Sequence, residues 1–171
     1  MADLARYERN KKSIQWVIIF YVNIKYGRIE YTGENMAVVK KYKIGVDVGG
    51  TNVKVALVDK SGSIVYSDTV PTRAEMGYEY TIQNIIAAIS NLMKESKVTK
   101  DNIEGIGFGF PGQIDCDNGI VRLAPNIPGW VNIPIAEIVS KEFGIPVKVD
   151  NDVRCAALAE LNFSTFPSTK I

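Results

Sequence analysis

An α/β fold, a mixed sheet covered by helices, is what this 171-residue sequence predicts. Three observations carry it. Three segments rich in β-branched residues follow one another between 43 and 70, separated by glycine turns. One long segment between 78 and 97 has helical apolar spacing. Strand-like and helix-like segments then alternate up to residue 160. The order reads β-β-β-α-β-α-β-α. Three opening strands joined by short turns form an antiparallel meander, so the sheet is mixed and not purely parallel.

The first three strands are Lys43 to Val48, Val53 to Asp59 and Ser63 to Val70, joined by Gly49-Gly50-Thr51-Asn52 and Lys60-Ser61-Gly62. From Tyr78 to Lys97, residues Ile82, Ile85, Ile86, Ile89, Leu92 and Met93 recur three and four apart and line one face of a helix. Ile103 to Phe110 is a glycine-interleaved strand closed by Pro111-Gly112, and the segment from Gln113 to Gly119 continues as loop. Ile133 to Phe143 is a shorter helix with Ile135, Ile138 and Val139 facing inward. A last strand, Ile145 to Val149, ends at Asp150-Asn151-Asp152, after which Ala156 to Glu160 supply strong helix formers.

A hydrophobic fraction of 46% with 23% charged residues belongs to a globular domain able to bury one core. Twenty basic residues against 19 acidic leave no electrostatic footprint for nucleic acid. The two cysteines, Cys116 and Cys155, lack CxxC spacing and read as free thiols of a cytoplasmic protein, not a disulfide framework. The chain has no histidine, which removes Ser-His-Asp and Cys-His catalysis and histidine-ligated metal from it. Carboxylates must carry any acid-base work.

Residues 1–42 read as an extension. Arg6, Arg9, Lys11 and Lys12 precede the apolar run Trp16 to Val22, a poor copy of a signal peptide that is too short to span a membrane and has no cleavage site after it. Gly33-Glu34-Asn35-Met36 is encoded by a pattern compatible with a purine-rich ribosome-binding site before a start codon. The expectation is that Met36 is the natural start and that residues 1–35 are translated leader.

The candidate chemistry concentrates at strand ends. Asp47 stands in the apolar run Ile44 to Val48, where an unpaired buried charge needs a compensating partner, and a hydrated metal would serve. Gly49 and Gly50 let backbone N–H groups approach a ligand, and Thr51 and Asn52 add donors, a composition suited to cradling phosphate. The same residues suit a plain hairpin turn between two strands. Gly107 to Gly112 spells GxGxxG, but no helix begins inside it, so it is not a dinucleotide fingerprint. Asp115, Asp117 and Gly119 hint at a calcium loop whose glycine and glutamate positions do not match an EF-hand, and there is no Walker A sequence. At Asp150-Asn151-Asp152 one residue is expected to cap the following helix, and a carboxylate there can accept a proton from a substrate hydroxyl.

In this order the segments IGVDVGGTNVKVALVD, GIGFGFPGQID, Leu123-Ala124-Pro125-Asn126-Ile127-Pro128-Gly129-Trp130 and VDNDVRCAALAE resemble the sugar kinases of the ROK family, particularly bacterial glucokinases. The resemblance runs from about Lys43 to Glu160. It implies an actin-like, ribonuclease-H-like ATPase fold with helices on both faces of the sheet, built as two domains with ATP and a hexose meeting between them. By the resemblance, Asp47, Gly49, Gly50, Thr51 and Asn52 form the first phosphate motif around ATP, with Lys54 nearby and Asp47 holding Mg2+ through water. Asn126, Asn151 and the backbone at Gly112 contact sugar hydroxyls, and Asp152 contacts the sugar and takes the proton from the attacking hydroxyl. The implied partners are ATP and a hexose, glucose first, with neither nucleic acid nor membrane, and a homo-oligomer is left open.

The sequence departs from the family after Glu160. The glycine-rich continuation, a second phosphate motif resembling GTGIGGG, a Glu-x-x-His sugar contact, the cysteine-rich zinc motif and the adenosine-binding half are absent. Residues 43–162 therefore read as the N-terminal domain of such an enzyme, inactive alone, and 163–171 as an aberrant tail. Two other readings stand beside it: a fragment of a ROK transcriptional repressor and a non-catalytic sugar-binding module.

Overall fold

The computed structural model describes residues 41–163. The expectations for the leader and the Met36 start lie outside the described residues, as does the expected tail of 163–171 apart from Phe163, which is still helical. Tyr42, assigned above to the extension, already belongs to the first strand.

The predicted meander is present. Strands β1 (Tyr42–Val48), β2 (Asn52–Asp59) and β3 (Ile64–Pro71) pair antiparallel in sequence. β4 (Ile103–Phe110) then joins the other side of β1 in parallel, and β8 (Val147–Asn151) joins β4 in parallel, giving the order β3-β2-β1-β4-β8. A parallel neighbour needs a crossover, which α1 (Tyr78–Glu95) supplies between β3 and β4. A second sheet of three short antiparallel strands, β5 (Gln113–Asp115), β6 (Ile120–Leu123) and β7 (Val131–Ile133), replaces the loop expected after Gly112. The helices α2 (Ile135–Phe143) and α3 (Asp152–Phe163) flank β8.

The boundaries differ from expectation for local reasons. Ile133 belongs to β7, and Pro134 starts α2 because it cannot donate a backbone hydrogen bond. α1 stops at Glu95, where the Ser96 hydroxyl donates to the Leu92 carbonyl at 2.7 Å and Lys97 turns left-handed. β8 begins after Pro146 and runs on to Asn151.

Side chains alternate across the sheet, so its two faces differ. Ile44, Val46 and Val48 of β1, Val53, Val55 and Leu57 of β2, Ile106, Phe108 and Phe110 of β4, and Val149 of β8 share one buried cluster with α1. Ile82, Ile85, Ile89 and Leu92 meet them, as the helical spacing requires. The rings of Phe108 and Phe110 lie 5.9 Å apart, and Phe110 reaches Trp130 at 4.8 Å. The opposite face is built from small and charged residues. In register across four strands, Lys54 stands beside Asp47, Asp47 beside Gly109, and Gly109 beside Asp150. α3 lies against β4 and β8 there, with the buried thiol of Cys155 among the carboxylates of Asp150, Asp152 and Asp47.

Candidate functional site

The carboxyl ends of β1, β4 and β8 lie next to one another, so the turns that follow them open at one edge of the sheet. Ligands of α/β sheets bind at such edges. The turn after β1 is a true hairpin: the Gly49 N–H donates to the Asn52 carbonyl at 2.9 Å. The hairpin and phosphate-cradle readings are thus compatible. Neither Gly49 nor Gly50 adopts a left-handed backbone. Their missing Cβ atoms serve close approach instead: a Cβ on Gly50 would stand 3.0 Å from the Asn126 carbonyl oxygen. The loop after β6 therefore rests against the turn, and Asn126 reaches the edge beside Gly50.

Gly112 is fixed by both conformation and space. Its φ is 106°, and a Cβ there would run into the Leu123 carbonyl oxygen and the Pro125 ring. Its carbonyl accepts a hydrogen bond from Asn151 Nδ2 at 3.0 Å, which ties the turn after β4 to the end of β8.

The three polar residues at that end have three separate tasks. Asn151 is the helix cap, its Oδ1 accepting the Val153 and Arg154 N–H groups at 3.0 and 3.1 Å. Asp152, half-buried, opens α3, with Oδ1 taking the Val153 N–H at 2.9 Å. Asp150 is 1% exposed and points to the other side, where its Oδ1 accepts the Asn151 N–H at 2.6 Å and the Cys116 thiol at 3.0 Å, with Arg154 NH1 at 3.5 Å. Burial first, and then the bond to Asp150, pushes the Cys116 thiol up to about 11. Burial and the surrounding carboxylates push Cys155 up as well.

Asp47 requires a correction. It does not lie among Ile44, Val46 and Val48; it projects from the opposite face, and its compensating charge is the Lys54 ammonium across the hairpin, 3.6 Å from Oδ2. Among the described residues no group of three or more His, Cys, Asp or Glu side chains could hold a metal. What fits Mg2+ is one carboxylate acting through water, because this ion keeps most of its waters and takes its remaining ligands from phosphates. Asp115, suggested by the calcium-like spacing, is engaged by Asn118 and by Arg122 at 2.5 Å, which hold its carboxyl below the usual range.

Gly50 with Asn126, Gly112 with Asn151, and Asp47 with Lys54 are thus brought together. Among the described residues no hydrogen bond joins Asp152 to the Gly49–Thr51 turn. The sequence reading missed Thr72. It is fully buried, its hydroxyl donates to the Gly49 carbonyl at 2.6 Å, and its N–H donates to the Thr51 carbonyl at 2.9 Å. A threonine directly after a strand offered no periodic signal.

A mixed sheet with a glycine hairpin, an asparagine loop and a capped helix at one edge is an α/β domain of the actin-like kind. The chain belongs to the ROK family, whose sequence pattern matches residues 43–167, somewhat beyond the 160 at which the resemblance above ended. It is 37% identical over 71% of its length to a glucokinase of Halalkalibacterium halodurans, and 32% identical over 68% to a xylose repressor of Caldicellulosiruptor bescii. Those segments make up 36% and 29% of the two relatives. A ROK family glucokinase from Streptomyces griseus, solved in complex with glucose and AMPPNP, superposes with a TM-score of 0.62 at 33% identity, covering 71% of this chain and 36% of that one. The chain thus spans about a third of the length of the curated relatives it matches.

Proposed function

We propose that this chain is the N-terminal part of an ATP-dependent hexose kinase of glucokinase type, acting in the cytoplasm. The observation that carries the reading is the convergence of the Gly49–Asn52 turn, Asn126, Gly112 and Asn151–Asp152 at one sheet edge, in a chain related to glucokinases over that whole stretch. Gly49, Gly50, Thr51 and Asn52 receive the triphosphate, with Lys54 supplying positive charge nearby. Asp47 holds Mg2+ through water, and the ion neutralises phosphate charge when bound. Asn126, Asn151 and the Gly112 backbone hydrogen-bond sugar hydroxyls; the second N–H of Asn151 Nδ2 is the donor its cap and its Gly112 bond leave over. Asp152 takes the hydroxyl proton as the sugar oxygen bonds to the γ-phosphorus and the bond to the ADP oxygen breaks.

On this reading residues 43–162 form the N-terminal domain, and the chain alone transfers no phosphate, because the opposing wall of the cleft is not among these residues. Positioning in a closed cleft is worth about 7–11 kcal/mol of such a barrier. Activity then needs that wall supplied from outside these residues, by further chain or by a homo-oligomer that rebuilds the site. A chimera tests the assignment: residues 43–162 replace the matching segment of the Halalkalibacterium halodurans glucokinase. Glucose phosphorylation is expected, lost at least roughly 10²-fold in Asp152→Asn while glucose binding persists. A folded chimera without turnover contradicts the kinase reading, and near-normal turnover in Asp152→Asn removes that residue from the role. The xylose repressor among the relatives supports a second reading, a sugar-sensing domain, which would bind a sugar and show no response to ATP.

A further inference from the structure

We infer that Thr72 is a positioning residue that locks the Gly49–Thr51 turn for phosphate binding, acting through the turn's backbone and not by touching the ligand. This rests on the kinase reading for the identity of the ligand, but the lock is visible in the geometry. The turn leaves the sheet with only the Gly49-to-Asn52 hairpin bond of its own. Thr72 adds two more from the neighbouring chain segment: hydroxyl to the Gly49 carbonyl at 2.6 Å and N–H to the Thr51 carbonyl at 2.9 Å. The two acceptors lie on either side of Gly50, so together they fix the peptide planes whose N–H groups would face a phosphate.

Thr72 is itself anchored. Its carbonyl accepts the Thr81 hydroxyl at 3.1 Å, a group shared with the Gly77 carbonyl, and Asn84 Nδ2 donates to the preceding Pro71 carbonyl at 2.5 Å. Thr81 is fully buried and Asn84 half-buried, both within the first two turns of α1. A continuous chain of bonds therefore runs from the rigid helix α1 through Pro71 and Thr72 to the turn. A catalytic site needs this, because glycines that permit close approach also permit motion, and donors aimed at a phosphate must be fixed in advance.

The test uses the 171-residue chain with Thr72→Val, which keeps the shape and removes the hydroxyl, and Thr72→Ser, which restores it. Amide hydrogen exchange at Gly49 and at position 72 reports the lock. Exchange there is expected to rise roughly tenfold in Thr72→Val and to return near wild type in Thr72→Ser, with β4 and α1 amides unchanged. Unchanged exchange at both amides, or an equal rise throughout the sheet, overturns the lock. Titration with Mg-ATP, followed by the amide shifts of Gly49, Gly50 and Thr51, reports the ligand: Thr72→Val should bind roughly tenfold more weakly, with glucose affinity unaltered. Equal ATP affinity in wild type and Thr72→Val overturns the positioning role. A wild-type chain whose turn ignores ATP removes the phosphate role from the Gly49–Asn52 turn instead, and the exchange measurement still decides the lock.

Discussion

The two faces of the central sheet are made from the same strands, residue by residue in alternation, and do different work. On one, Ile44, Val46, Phe108, Phe110 and Val149 share the buried core with the apolar residues of α1. On the other, Lys54, Asp47, Gly109 and Asp150 form a row of charge and glycine, with Cys155 of α3 over it. The contrast teaches that a strand carrying a site need not sacrifice its core. Asp47 costs the apolar cluster nothing because it never enters it, and its charge meets Lys54 on its own side.

The largest effect is expected on the apolar face. Phe110→Ala removes a ring packed against both Phe108 and Trp130 and should cost about 3–5 kcal/mol in urea unfolding. A loss below about 1 kcal/mol would mean that this face is not the core. Gly112→Ala, at the site edge, should cost at least about 2 kcal/mol, since it meets both a left-handed backbone and the Leu123 carbonyl. Asn151→Ala removes the cap of α3 and should cost about 1–2 kcal/mol, whereas Asn151→Asp keeps the capping oxygen and should recover part of it.

The smallest effect sharpens the charged face. With its thiol pushed up from 9.0 to about 11, Cys116 should carry roughly a hundredfold less thiolate at pH 8 than a thiol at 9.0 and alkylate correspondingly slowly. Asp150→Asn removes a negative charge that disfavours the thiolate, so alkylation should quicken, and an unchanged rate would separate the two residues. The sign for stability follows. A folded-state value above the unfolded one gives stabilisation present below pH 9, lost as pH rises through 11.

Most of the five-stranded sheet and helices α1 and α2 were legible because their segments are long enough for a period to repeat, and α3 through the helix formers Ala156 to Glu160. The second sheet was not. β5, β6 and β7 have three or four residues each, and Ile114, Val121 and Ile133 recur too sparsely to separate a strand from a loop. At the site, the motif residues were legible as motifs, and their division of labour was not. Asp150, Asn151 and Asp152 are adjacent in sequence, yet alternation and the helix start send one to the sheet face, one to a cap and one to the opening turn of α3. Thr72 and Arg154 act through bonds to residues 23 and four positions away, which no local pattern announces.

On the proposed function, one edge of this sheet receives a nucleotide phosphate at one turn and a sugar beside it. Separate titrations of the 171-residue chain with Mg-ATP and with glucose, mapped by backbone amide shifts, test it most directly. ATP is expected to move Gly49, Gly50, Thr51 and Asn52, and glucose to move Gly112, Asn126, Asn151 and Asp152, with Ile64 to Ser67 at the far end of β3 still in both. Shifts confined to other surfaces, or a glucose response with none to ATP at the Gly49–Asn52 turn, would contradict it.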